Sequence, residues 1–211
     1  MIALNVVIYL VTVAQGAGIN SPGGSLFFDW VLFGPAIADG GWWRLLTSAF
    51  LHGSLIHIAM NMFVLYVVGS AVERYLGSLR YLGVYLVSGL AGSAGALLVN
   101  PTQVTVGASG AIWGVFGALF IIEYRETGSL AGQAMSLIVI NLVLTFTIPN
   151  ISWGGHVGGL VGGTLATLAL LQFGGARATY GRRPDFVGVS ALVLVALASV
   201  AVAYWKVRGY A

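Results

Sequence analysis

Ser109 stands in the stretch V-G-A-S-G-A-I-W-G, residues 106–114, a hydroxyl between glycines where a long apolar run begins. A serine is a weak nucleophile until a base takes its proton, and an imidazole is the usual base. The chain has three histidines, His52, His57 and His156. His156 opens G-G-H-V-G-G-L-V-G-G, in which Gly155, Gly159 and Gly163 recur every four residues. Such a ridge of small residues lets another helix approach closely. If that neighbour is the helix of Ser109, where Gly110, Gly114 and Gly117 are similarly small, the serine and histidine come within hydrogen-bond reach and form a dyad. His57 and Asn61, in H-I-A-M-N, lie four apart and project from one helix face. Polar side chains at such depth are costly and mark a functional interior.

Plainer readings exist for each of these residues. A serine at a helix start is a common N-cap, and Ser109 is not in the hydrolase elbow G-x-S-x-G, because position 111 is alanine. His156 can bond a loop, and glycines can do no more than pack helices. A metal centre is not expected: there is no H-E-x-x-H pattern, and the five-residue step from His52 to His57 puts them on different helix faces. The absence of cysteine removes thiolate chemistry and disulfides.

The elements that must position these residues lie in a membrane. Of 211 residues, 58% are hydrophobic and 7% charged, with a mean hydropathy of +0.94, far outside the range of soluble domains. The net charge of +3 is spread between apolar runs and does not make a nucleic-acid surface. A span needs about 20 apolar residues, and candidate helices run over 2–17, 55–72, 80–99, 109–123, 132–148, 154–173 and 187–205. The first lacks a basic leader and a small-residue cleavage pattern, so it reads as a retained helix rather than a signal peptide. With the N-terminus in the cytoplasm, Arg74, Arg80, Arg125, Arg177, Arg182 and Arg183 fall inside and Arg44, Lys206 and Arg208 outside, which satisfies the positive-inside rule.

The fourth helix is short. From Ser109 to Ile122 it would cover roughly 21 Å of a hydrocarbon core about 30 Å thick. With its far end at the charged residues Glu123 and Arg125, Ser109 lies on the order of 10 Å below the outer surface, and the segment N-P-T-Q-V-T-V-G must descend to it. Non-helical backbone at that depth is tolerated only inside protein or beside a water-filled cavity. The expectation is a wet cavity, open to the outside, with Ser109 at its floor. The long loop 18–54, with Trp42 and Trp43 next to Arg44, suits the interface. G-G-A-R-A-T-Y-G-R-R-P-D reads as a linker, which gives a core at 1–173, a linker at 174–186 and an appended helix and tail at 187–211.

In order along the chain, W-W-R-L-L-T-S-A-F-L-H-G-S-L-I-H-I-A-M-N-M-F, G-S-A-V-E-R-Y-L-G-S, G-A-S-G-A-I-W-G and G-G-H-V-G-G-L-V-G-G resemble the rhomboid intramembrane serine proteases over residues 42–172. The resemblance implies an all-α polytopic fold of six core helices plus a seventh. It implies Ser109 as nucleophile and His156 as base with no aspartate, and His57 and Asn61 as donors to the oxyanion beside the backbone N–H of Ser109. His52, Trp43, Arg44 and Glu73 would be structural, Gly107 and Gly110 would shape the turn, and Gly159 and Gly163 would hold the catalytic helices together. Trp113 stands where relatives often stack a tyrosine on the imidazole.

The implied activity is hydrolysis of a peptide bond in or near a transmembrane segment of another protein, without metal or cofactor, in a prokaryotic cell membrane with the site on the extracytoplasmic side. A helix hides its own carbonyls, so substrates should unwind readily at glycine or proline, and the resemblance adds a small residue before the cut. By the same analogy helix five is a lateral door and P-N-I-S-W-G-G a cap. The alternatives are a non-catalytic rhomboid-like binder of transmembrane segments and a small transporter, against which the absence of paired half-repeats argues.

Overall fold

The computed structural model describes residues 1–173 and 186–210. The linker expected at 174–186 lies, except for Phe186, outside the described residues. Among the described residues the regular structure is helical, with two isolated β-bridges and no strand.

After α1 (Ile2–Gln15) come three short helices, α2 (Gly24–Trp30), α3 (Gly34–Ala38) and α4 (Arg44–Thr47), then a 3₁₀ turn at Ser48–Phe50. A continuous helix, Leu55–Leu76, is built from α5 (Leu55–Val64), a π turn (Leu65–Gly69) and α6 (Ser70–Leu76). Gly77 then turns the chain into α7 (Ser78–Val99), followed by α8 (Ser109–Thr127), α9 (Gln133–Thr147), α10 (Trp153–Phe173) and α11 (Phe186–Val207). Among the described residues, Leu55–Leu76, Ser78–Val99, Trp153–Gln172 and Phe186–Val207 are long and apolar enough to cross a membrane. The helix α8 is longer than expected because it runs on through Glu123, Tyr124 and Arg125 to Gly128, whose left-handed φ of 70° ends it.

The centre is a three-helix contact of α7, α8 and α10, and glycine makes it possible. A Cβ on Gly159 would lie 1.9 Å from the Gly110 carbonyl oxygen, and one on Gly163 2.3 Å from the Gly114 Cα. The backbones of α8 and α10 therefore touch along the ridge expected from the sequence. The third partner, α7, was not foreseen: a Cβ on Gly92 would meet both Gly110 Cα and the Gly155 oxygen at 3.0 Å. Gly162 faces α7, and a Cβ there would be 2.3 Å from the Ala91 Cβ.

The loop 18–54 is folded rather than extended. Trp43 Nε1 donates to the Asp29 carbonyl at 2.9 Å, and Arg44 Nη1 donates to the Phe28 and Val31 carbonyls at 2.7 and 3.1 Å. These bonds tie α4 to the end of α2. Nor is the last helix a loose appendage: α11 packs on α7, α10 and α3, and Ala203 and Val207 join a buried cluster with Ile37, Leu45 and Leu97. Glu73 accepts from Ser78 Oγ at 2.7 Å and braces the turn between α6 and α7.

Candidate active site

The segment before Ser109 descends into protein, and its backbone is satisfied there. Leu32 and Thr105 exchange N–H···O bonds of 3.1 and 3.0 Å, Gly34 N–H donates to Pro101 O at 2.7 Å, and Gly107 N–H donates to Ser48 O at 3.0 Å. This is how a membrane protein keeps an irregular strand at depth. Gly107 has φ +124°, and a Cβ there would fall 2.6 Å from His57 Nε2; position 107 has to be glycine on both counts.

Ala108, not Ser109, is the N-cap of α8, and no side chain caps that helix. The Ser109 hydroxyl is therefore not used for capping. It faces a cavity of about 30 Å³, shared with His156, Ser48, Ser93, Thr105 and Ser152, with room for about two water molecules. His156 sits in the first turn of α10, its N–H bonded to Ser152 O at 3.1 Å. Trp113, one turn along α8 from Ser109, stacks on the imidazole with centroids 5.1 Å apart. Among the described residues no hydrogen bond closes between Ser109 and His156; in resting sites such bonds often tighten only when substrate arrives.

His57 and Asn61 approach from α5 and stand against Gly107, which lines this cavity although they do not. His57 Nδ1 accepts from Gly53 N–H at 3.5 Å, so its Nε2 carries the proton and points at Gly107. Asn61 Nδ2 is buried without a hydrogen-bond partner, 3.7 Å from where a Gly107 Cβ would be. Two unused donors thus converge on the backbone two residues before Ser109. His52 is fully enclosed, burial pushes its pKa down to about 3, and it meets His57 edge-on at 5.1 Å between centroids. No group of His, Asp and Glu able to hold a metal occurs among the described residues.

Two residues at this site escaped sequence reasoning. Thr145 of α9 is bonded through Oγ1 to His156 Nδ1 at 2.7 Å. Ser152, in the loop before α10, lines the cavity and accepts from Gly155 N–H at 3.3 Å. The sequence marks neither, since one lies in a lipid-facing apolar helix and the other in a loop.

The fold and site define a multi-pass helical membrane protein with a serine and a histidine facing one internal cavity. The chain belongs to the rhomboid family: the Rhomboid domain model matches residues 39–173. It is 41% identical over 167 residues to Rhomboid protease GluP of Bacillus subtilis, covering 77% of this chain and 31% of that protein. It is 38% identical over 143 residues to the putative rhomboid protease YdcA of the same organism, covering 64% of this chain and 71% of that one. With RHOMBOID-like protein 4 of Arabidopsis thaliana the identity is 31% over 134 residues, 61% of this chain and 34% of the relative. The chain thus spans about a third of GluP and most of YdcA.

Proposed function

We propose that the chain is an intramembrane serine endopeptidase using Ser109 and His156. The observation that carries this reading is that Ser109 and His156 line one cavity, while two unused donors, His57 Nε2 and Asn61 Nδ2, stand against Gly107 of the same lining. Ser109 Oγ attacks the scissile carbonyl carbon while His156 Nε2 takes its proton. The oxyanion is met by His57 Nε2–H, Asn61 Nδ2–H and the Ser109 backbone N–H. The C–N bond then breaks, and the proton on His156 goes to the departing amine. Water from the cavity attacks the acyl ester, giving its proton to His156, and Ser109 regains a proton as the acid leaves.

The substrates are transmembrane proteins with a segment that unwinds near glycine or proline, entering past α9. Residues 1–173 form the catalytic core and 187–211 an added helix packed on it. The excess of arginine on one set of loops supports an N-terminus in the cytoplasm and a cavity on the extracytoplasmic side. Cleavage of a labelled transmembrane substrate by purified protein in lipid tests the reading. Ser109→Ala and His156→Ala each abolish the product, fluorophosphonate labels Ser109, and chelators change nothing. Retention of near wild-type cleavage by either alanine variant removes the dyad.

A further inference from the structure

The hydroxyl of Thr145 meets the ring nitrogen of His156 that the proposed mechanism leaves unused, and it makes two bonds. It donates to the Asn141 carbonyl, one turn back in α9, at 2.8 Å, and meets His156 Nδ1 at 2.7 Å. A hydroxyl has one proton and two lone pairs. With the proton committed to Asn141, the contact with the imidazole requires Nδ1 to carry a hydrogen. A neutral imidazole with its proton on Nδ1 has a bare Nε2, and this is the tautomer that can accept from Ser109.

Thr145 is also the only buried residue in the outer half of α9. The buried residues of that helix are Ala134, Ile138 and Thr145, and around Thr145 the side chains of Val143, Leu144, Phe146 and Thr147 are exposed. At the other end, Glu123 of α8 accepts from Ala134 N–H at 2.9 Å. One polar contact thus holds each end of α9, and the outer one is a bond to the imidazole of His156.

We propose that Thr145 is a positioning residue, whose hydroxyl holds His156 in the Nδ1–H tautomer. This rests on the reading of His156 as the base. The arrangement differs from a carboxylate-assisted triad: a hydroxyl orients the ring but adds no counter-charge for the imidazolium.

The test uses the full chain in lipid with Thr145→Val and Thr145→Ser. Thr145→Val keeps the shape and removes the hydroxyl; Thr145→Ser keeps the hydroxyl. Loss of one neutral hydrogen bond predicts a kcat about tenfold lower for the valine variant at unchanged KM, with the serine variant near wild type. Nitrogen-15 NMR of histidine-labelled protein supplies a readout that a packing defect does not move: the His156 signal shifts from the Nδ1–H to the Nε2–H tautomer in Thr145→Val alone. An unchanged tautomer in the valine variant overturns the proposal, as does an equal loss of kcat in both variants. Failure of the dyad shows elsewhere, in persistent cleavage by Ser109→Ala, and the NMR comparison still decides whether Thr145 sets the ring.

Discussion

Trp113 covers one face of the His156 ring, with 27° between the planes and 5.1 Å between centroids. Because Trp113 and Ser109 lie on the same helix, one turn apart, α8 supplies both the nucleophile and a wall that orients the base. A stacked aromatic pair contributes about 0.5–1.5 kcal/mol beyond its burial. Trp113→Leu is therefore expected to lower kcat by up to about tenfold through a freer imidazole, while Trp113→Tyr, which retains a ring, stays near wild type. Equal rates for the two variants in a substrate-cleavage assay would show that stacking contributes nothing.

The donors on α5 should separate catalysis from stability. Asn61 Nδ2 has no partner in the resting site, so Asn61→Ala breaks no bond there and should change thermal unfolding little. If the amide meets the developing charge, kcat falls by about 10²–10³. His57→Ala should lose comparable activity and also melt earlier, because His52, buried and held edge-on by His57, loses its neighbour. A rise in KM alone for Asn61→Ala would move this residue from the oxyanion to substrate docking.

Much of this architecture was legible because it is written in spacing. The boundaries expected for the helices ending at Val99 and beginning near Trp153 agree with those observed, since glycine, proline and charge punctuate long apolar runs there. Helical spacing marked Gly159 and Gly163 as a ridge of small residues, the resemblance implied α8 as its partner, and the two backbones touch there. The helices α2, α3 and α4 were not foreseen, being seven, five and four residues long, too short for a 3.6-residue period to register. Thr145 was invisible for another reason. It reaches His156 across the loop between α9 and α10, and no local pattern encodes the path of that loop. The packing of α11 was hidden likewise, since Trp42 and Tyr204, 6.1 Å apart between centroids, are distant in sequence.

The cap on α9 gives a prediction about its N-terminal end. Glu123 Oε2 accepts from the Ala134 N–H, and Gly132 leaves room for it, because a Cβ there would be 2.5 Å from that oxygen. A carboxylate at a helix N-terminus satisfies a free N–H and complements the helix dipole. Glu123→Ala should cost about 1 kcal/mol of stability, as loss of an N-cap does. Glu123→Gln, which keeps an acceptor oxygen, should cost less. Chemical denaturation in mixed micelles measures both, and equal stability in the alanine variant would show that α9 is held by its apolar face alone.

The glycine contacts predict which substitutions disturb the dyad and which disturb only the bundle. Gly159→Val and Gly163→Val insert a branched side chain where the backbones of α8 and α10 meet, at 1.9 and 2.3 Å from the nearest atoms for the Cβ alone. Overpacking typically costs about 1–3 kcal/mol, and here relief requires the helix of Ser109 to move away from the helix of His156. A displacement near 1 Å can lower the rate by about 10²-fold. Gly162→Ala also collides, with the Ala91 Cβ at 2.3 Å, but it pushes α10 away from α7 rather than from α8. All three variants should melt below wild type. The cleavage rate of the folded fraction should fall steeply in the first two and much less in the third. If Gly162→Ala lowers the rate as far as Gly159→Val does, the spacing of Ser109 and His156 is set by the whole three-helix contact and not by the ridge between α8 and α10.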